Sequence, residues 1–215
     1  MSKTNYKDEI LHFYNQFLGA CDLNNSEAVA WSSKESQLKR FEILLDIGID
    51  KDNDRFLDLG CGLGHLVDYI RDRGYNIENY AGIDINPHYV FFAGIRNKDI
   101  DFKIGEIFDV EEKYDYIIGS GNFTIKMHLD EILNAIAKAY ELSNKGVAFN
   151  FLTEEFMGSE DHNFNCFNPE EFIGMINKIY PKTRLITDYL GNEDFTIYIY
   201  KWVTIDYKNY GKKLN

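Results

Sequence analysis

Cysteine is scarce in this chain: among 215 residues there are three, Cys21, Cys61 and Cys166. They are odd in number, far apart and in no CxxC pair, which argues against a disulfide framework and against a thiolate metal site. The five histidines show no HxxxH spacing, and no metal is expected. No uncharged apolar run approaches the roughly 18 residues that a membrane span needs. The opening MSKTNYKDE is too polar for a signal peptide, so a cytoplasmic protein without a membrane partner is expected. Positive charge is also short: 23 Lys and Arg face 35 Asp and Glu, a formal net charge of -12. Such a field repels phosphate backbones and anionic lipid, and a nucleic-acid partner is not expected.

What is present is an ordinary globular composition, 45% hydrophobic and 27% charged. A domain takes about 150 residues, so the length fits one α/β domain with an extension. Tyr6, Ile10, Phe13, Tyr14 and Phe17 fall at helical spacing, and Leu38, Phe41, Leu44 and Leu45 do so again behind a capping-box pattern, Ser32 to Glu35. From residue 56 short β-branched runs alternate with helical stripes, the pattern of a mostly parallel sheet with crossover helices. Seven strands are expected: FLDL (56–59), YAGID (80–84), DFKI (101–104), YDYIIG (114–119), GVAFNFL (146–152), RLITDYL (184–190) and DFTIYIYKW (194–202). Arg71, Arg73 and Gly74 close the first crossover helix, Asn86 and Pro87 open the second, and a helix over residues 130–142 follows. Asn168 and Pro169 open the last helix, which should bury Phe172, Ile176 and Ile179. Only Gly191, Asn192 and Glu193 separate the final two strands, which makes them a hairpin and adds one antiparallel strand.

The most informative segment is FLDLGCGLGHL, residues 56–66, a strand that runs through Gly60-x-Gly62-x-Gly64 into a helix. Such a turn lets the backbone approach a ligand closely, and the first helical amides offer partial positive charge to a carboxylate or phosphate. Tight turns also use glycine for steric reasons alone, so the triplet gains its meaning from what lies behind it. Asp84 ends the second strand, 20 residues past Gly64, where a carboxylate accepts well from a ribose diol. The dinucleotide fingerprint GxGxxG is not met, because its third glycine position is His65.

The GxGxG spacing, Asp58 before it and the terminal antiparallel hairpin together resemble the class I S-adenosylmethionine (SAM) dependent methyltransferases, over roughly residues 50–205. The resemblance implies a Rossmann-like α/β fold: a seven-stranded sheet with the last strand antiparallel, helices on both faces, and SAM as cofactor. It places Gly60, Gly62 and Gly64 under the methionine part of SAM, Asp58 near its ammonium, Asp84 on the ribose hydroxyls and Ile85 on the adenine. Glu106 takes the acidic position near the adenine amine, with Asp109 an equally good candidate. The resemblance further implies an N-terminal helical cover, residues 1–50, on a core of residues 51–205 with a tail of residues 206–215. On that cover Gln37 and Arg40 share a helix face beside the apolar stripe, with Trp31 just upstream, and are expected to reach the methionine carboxylate or the acceptor. The plainer role for Arg40 is to cover apolar surface with its stem.

A sulfonium is already a good leaving group, so methyl transfer needs in-line positioning and dryness more than elaborate catalytic groups, and a base is optional. The acceptor belongs beyond the carboxyl ends of strands four and five. After strand four, Ser120 and Asn122 are expected to touch cofactor or acceptor, or to form only the turn. The Asn-Pro-Pro-Tyr motif of DNA and protein amide methyltransferases is missing there, as is the aspartate of metal-dependent catechol-type enzymes. After strand five, residues 153–167 form a long polar segment without Lys or Arg, the kind that makes a lid. Glu154, Glu155, Glu160, Asp161 and His162 within it could supply a general base, with His162 the expected one or else an exposed loop histidine; His128 is a second histidine candidate, and Ser120 is the other catalytic residue expected. His12, His65 and His88 fit helical surfaces, and His128 fits a cap.

The combination of W-S-S-x-x-S-Q-x-x-R-F (31–41), SGNF (120–123), AFNFL (148–152) and DYLGNEDFTIY (188–198) is similar to one group of small stand-alone bacterial methyltransferases. Members occur in surface-polysaccharide pathways, including the one that makes capsular methyl phosphoramidate. That similarity implies a small polar acceptor, phosphorylated or glycosidic, with Arg40 or Lys126 available for an anion. The functional expectation is SAM-dependent methyl transfer to a small polar metabolite, at oxygen. The alternative is a non-catalytic SAM-fold binding or regulatory subunit, whose mark would be a damaged glycine loop. Nothing in the sequence sets an oligomeric state.

Overall fold

The computed structural model describes residues 6–156 and 163–201. Its strands are β1 (Phe56–Leu59), β2 (Tyr80–Asp84), β3 (Phe102–Ile104), β4 (Tyr114–Gly119), β5 (Ser143–Thr153), β6 (Cys166–Phe167), β7 (Thr183–Ile186) and β8 (Asp194–Tyr200). Its α-helices are α1 (Tyr6–Asn15), α2 (Lys34–Leu45), α3 (His65–Asp72), α4 (Pro87–Arg96), α5 (Leu129–Leu142) and α6 (Pro169–Asn177).

Alternating apolar residues send each central strand to two cores at once. In β5, Val147, Phe149 and Phe151 face one core and Ala148 the other; in β8, Phe195, Ile197 and Ile199 oppose Tyr198. This is the period of two of a pleated strand buried on both faces. One core is completed by Ile132, Ile136 and Ala139 of α5 and by Phe172 and Ile176 of α6. The other is completed by Phe41 and Leu44 of α2 and by Leu66, Val67 and Ile70 of α3.

The strands lie in the order β3-β2-β1-β4-β5-β8-β7. The pairs from β3 to β5 are parallel, and β8 runs antiparallel to both β5 and β7. The sheet is thus Rossmann-like with a terminal antiparallel strand, but among the described residues it has eight strands rather than seven. The extra one, β6, pairs Cys166 and Phe167 with Leu152 and Thr153 of β5, a length too short to show any periodicity. The last two strands are not a tight hairpin either. β7 ends at Ile186, and the connection through residues 187–193 contains Asp188 at φ 63° and a bridge between Leu190 and Asn192.

Helix boundaries follow local side chains. Asn86 accepts from the His88 N–H and Asn168 from the N–H groups of Glu170 and Glu171, each just before a proline in the first turn. The cap of α2 is Ser33, which accepts from the Ser36 N–H; the expected Ser32 lies one residue too early. Because α6 ends at Asn177, Ile179 falls past its apolar stripe and is exposed, and the buried place goes to Ile173. No helix among the described residues is long and apolar enough to cross a membrane.

α1 differs from the other helices in having no buried residue. It is fastened by the Tyr89 hydroxyl, which donates to the Tyr14 carbonyl, and by the Asn86 amide, which donates to Asn15 Oδ1 at 3.0 Å. Tyr6, Ile10 and Tyr14 of its apolar stripe line a cavity, while Tyr14 also packs on the small cluster of Ala28, Leu63 and Tyr89 and Phe13 meets Phe164.

Candidate active site

The strand order reverses between β1 and β4, and ligands of open α/β sheets bind where that reversal leaves a crevice at the carboxyl ends. A cavity of about 350 Å³ lies there. Its floor is the chain leaving β1, β2 and β4, and Tyr6, Ile10, Leu11 and Tyr14 of α1 form part of its wall.

The glycine loop hangs on the end of β2. The N–H groups of Gly60 and Cys61 donate to the Ile83 carbonyl, and the Gly62 N–H donates to Asp84 Oδ2 at 2.8 Å. The other oxygen of Asp84 accepts from the Asn86 N–H at 2.8 Å, so one carboxylate ties the loop to the start of α4. Burial raises the Asp84 pKa while these two amides pull it down. Gly60, Gly62 and Gly64 have φ of 70°, 53° and 72°, a region costly for any residue with a Cβ. At Gly60 a Cβ would also overlap the Asn122 amide. Gly64 does not line the cavity; it precedes α3 and lets the turn pack against Asn97 and Phe102.

Asp58 sits inside β1 at 4% exposure, on the cavity wall, and accepts from the Tyr80 hydroxyl at 2.9 Å. Burial pushes its carboxyl up to about 7, the Tyr80 hydrogen bond opposes that, and the Asp84 charge adds to it. A carboxyl so poised favours a cationic group brought against it.

Gln37 and Arg40 share a face of α2, yet only Gln37 lines the cavity. Arg40 is spent elsewhere. Its Nε donates to Asp194 Oδ1 at 3.0 Å, a second nitrogen bonds Asp194 Oδ2 and a third bonds Ser36 Oγ, while the guanidinium lies 4.2 Å from the Trp31 ring centre. The sequence pattern offered Arg40 to the methionine carboxylate or the acceptor; in the structure its guanidinium pairs with the Asp194 carboxylate of β8.

His65, expected on a helix surface, is buried on the cavity wall between Gln37 and the Leu23 carbonyl. After β4, Ser120 and Asn122 both line the cavity. Asn122 donates to the Leu59 carbonyl at 2.5 Å, bridging the exits of β1 and β4. Asn150 of β5 donates to Ser120 Oγ at 3.4 Å and accepts from the Gly121 N–H at 2.8 Å. Ile85 and Glu106 line the far end, where Glu106 is met by the Tyr6 hydroxyl and by Lys7. Asp109 is outside the lining and accepts from the Glu106 N–H instead. His128 caps α5, and Lys126 does not line the cavity. His162 lies outside the described residues.

Sequence reasoning had no means to find His65, Tyr6 and Tyr14 as cavity residues, because each shows only helical spacing. The AFNFL segment did single out Asn150, though not its role.

A glycine loop hung on a strand-end carboxylate at the switch point of a Rossmann-like sheet, closed by an antiparallel strand, defines the class: a SAM-dependent methyltransferase of the class I fold. The chain belongs to the methyltransferase domain family, whose model, described as "Methyltransferase domain", matches residues 50–172. It is 31% identical over 158 residues to Rv1506c of Mycobacterium tuberculosis, which carries a methyltransferase name, across 67% of this chain and 91% of that one. Magnesium protoporphyrin IX methyltransferase (ChlM) from Synechocystis PCC 6803, solved with bound SAM, superposes with a TM-score of 0.67 at 14% identity, over 94% of this chain and 100% of that one. PH0226 from Pyrococcus horikoshii OT3 gives 0.64 at 17% identity, over 88% and 99%. At such identities the two solved structures bear on the fold alone.

Proposed function

We propose that the cavity holds SAM with its methionine end between Asp58 and Gln37, its ribose at Asp84 and its adenine between Ile85 and Glu106, and that the methyl group passes to oxygen of a small polar metabolite. The observation that carries this reading is the cavity itself: glycine loop and carboxylates at one side, α1 across the other, and no Lys or Arg among its described lining residues.

The donor set suits the cofactor. Asp58 offers a carboxylate to an ammonium, the loop backbone leaves room beneath the methionine chain, and Ile85 with Ile107 gives an apolar slot for a purine. When bound, SAM supplies an electrophilic methyl group on a sulfonium. The chain's own part is to orient and to exclude water. α1 covers the site, Trp31 and Phe123 add apolar wall, and Ser120, whose oxygen already accepts from Asn150, keeps its own proton to donate to an acceptor. His162, on the chain that follows β5, is the proposed base.

The covered cavity favours a small acceptor over a macromolecule. Within small acceptors, the motif similarity favours one from surface-glycan or capsule pathways, and the charge selects among those. Arg40 is consumed by Asp194 and Lys7 meets Glu106, so the lining favours an uncharged sugar or polyol over a phosphorylated one. The test is SAH formation from SAM across a panel of neutral and phosphorylated sugars, with mass detection of the methylated product. Turnover on neutral hydroxyl acceptors is expected. Turnover confined to phosphorylated acceptors or to oligonucleotides refutes the reading, and full turnover by His162→Ala removes His162 as the base.

A further inference from the structure

We propose that His65 is a positioning residue for the cofactor: the Leu23 carbonyl locks it as one tautomer, and that tautomer holds the Gln37 amide with its oxygen left to accept from the SAM ammonium. The proposal rests on the placement of the methionine end given above.

The argument is one of donors and acceptors. His65 Nε2 lies 2.9 Å from the Leu23 carbonyl oxygen, which only accepts, so Nε2 carries the proton. In the neutral ring Nδ1 is then an acceptor, and Gln37 Nε2, at 3.2 Å, must be the donor. The opposite amide orientation would set the Gln37 oxygen against a lone pair. Among the described residues the structure gives the Gln37 oxygen no hydrogen bond, and the residue, 5% exposed, lines the cavity. Gln37 and Asp58 both line the cavity, and Phe56 of β1 packs in the core that α2 completes, so Asp58, two residues further along the strand, points to the α2 face of the sheet. An amide oxygen and a carboxylate suit an ammonium and not a carboxylate.

The two partners of His65 lie 42 and 28 residues away in the chain, so the network joins the N-terminal cover to the first residue of α3, directly behind the glycine loop. Burial holds the imidazole neutral, lowering its pKa below 6.5. Arg96 of α4 and Lys34 of α2 act in the same direction, while the Leu23 carbonyl and Asp68 of α3 oppose them. Protonation at low pH puts a donor on Nδ1, which forces the Gln37 amide to turn over and face the ammonium with N–H groups.

The experiment is calorimetry of the full chain with SAH and with 5′-methylthioadenosine, which lacks the amino-acid end. His65→Ala is expected to weaken SAH by roughly tenfold or more and to leave methylthioadenosine affinity unchanged. In His65→Asn the side-chain oxygen takes the place of Nδ1, so most of the loss is recovered and the fall of SAH affinity below pH 6.5 that belongs to the imidazole disappears. His65→Ala added to Gln37→Ala should cost nothing more, because one acts through the other. Additive losses, equal weakening of both ligands, or an Asn variant as weak as the Ala variant overturn the proposal. A wild-type chain that binds SAH no better than methylthioadenosine overturns the placement of the methionine end, and the proposal with it.

Discussion

Removing Arg40 should unfold the protein more readily without touching a ligand contact, by an amount that follows from its surroundings. Arg40 and Asp194 are 6% and 2% exposed in their side chains, and the guanidinium meets both carboxylate oxygens. Breaking a buried pair from one side leaves an uncompensated charge, at a cost of about 3–5 kcal/mol. The stacking on Trp31 adds about 0.5–2 kcal/mol to the loss. Burial already raises the Asp194 pKa while Arg40 pulls it down, so without Arg40 the carboxyl takes up a proton and the loss shrinks as pH falls. Urea unfolding near neutral pH of Arg40→Ala, Asp194→Asn and the double variant measures this. Arg40→Ala should be the least stable, and Asp194→Asn in the same chain should restore part of the loss by removing the stranded charge. If Arg40→Ala keeps its stability to within about 0.5 kcal/mol and instead loses SAH or acceptor affinity, the ion pair is incidental and Arg40 is a ligand group after all.

Asp58 predicts a pH dependence of opposite sign for folding and for binding. Its carboxyl is raised from 3.8 to about 7, so the stability it contributes is full below 3.8 and lost as pH rises through 7. An ammonium needs the charged form, so SAH affinity should rise over that interval with release of a proton. Calorimetry a little below pH 7 in two buffers of different ionisation enthalpy should show the release in wild type and not in Asp58→Asn; identical heats in both buffers refute it. At Gly60 an alanine meets two obstacles, the Asn122 amide and a φ of 70° worth about 1–2 kcal/mol of strain. Gly60→Ala should therefore weaken SAH binding, and Asn122→Ala in the same chain should recover the steric part only. No recovery would show that Asn122 is not the obstacle.

The parts of the site that sequence made legible are those built by chain neighbours. Asn86 and Asn168 cap the helices that begin one residue later, and the positive φ angles of the glycine loop are written in the glycines themselves. Asp84 lies at a spacing set by one strand–helix–strand unit, which fixes where the second strand must end. What spacing could not supply was partnership across the fold. Arg40 finds Asp194 154 residues away, and nothing in either neighbourhood marks the pair. His65 reads as the exposed start of a helix until the cover segment brings Leu23 onto it. The stripe on α1 has the spacing of a core helix, and only the structure shows that it closes over a space.

The acidity that first spoke only against nucleic acid acquires a shape in the cavity. Asp58, Asp84, Glu106 and Glu131 line it, while the residues at the exit of β4, Ser120, Gly121 and Asn122, are uncharged. That distribution matters for a reaction in which positive charge on sulfur disperses as the methyl group leaves. A carboxylate beside the sulfonium would stabilise the starting charge more than the dispersed one and slow the transfer. Carboxylates at the proposed ammonium, ribose and adenine positions instead act on groups whose charge does not change during transfer, so their binding energy holds the reactants in place. A neutral exit of β4 beside an otherwise acidic wall is therefore compatible with methyl transfer from the proposed placement of the cofactor, and on the proposed reading the same acidity would disfavour a phosphorylated acceptor.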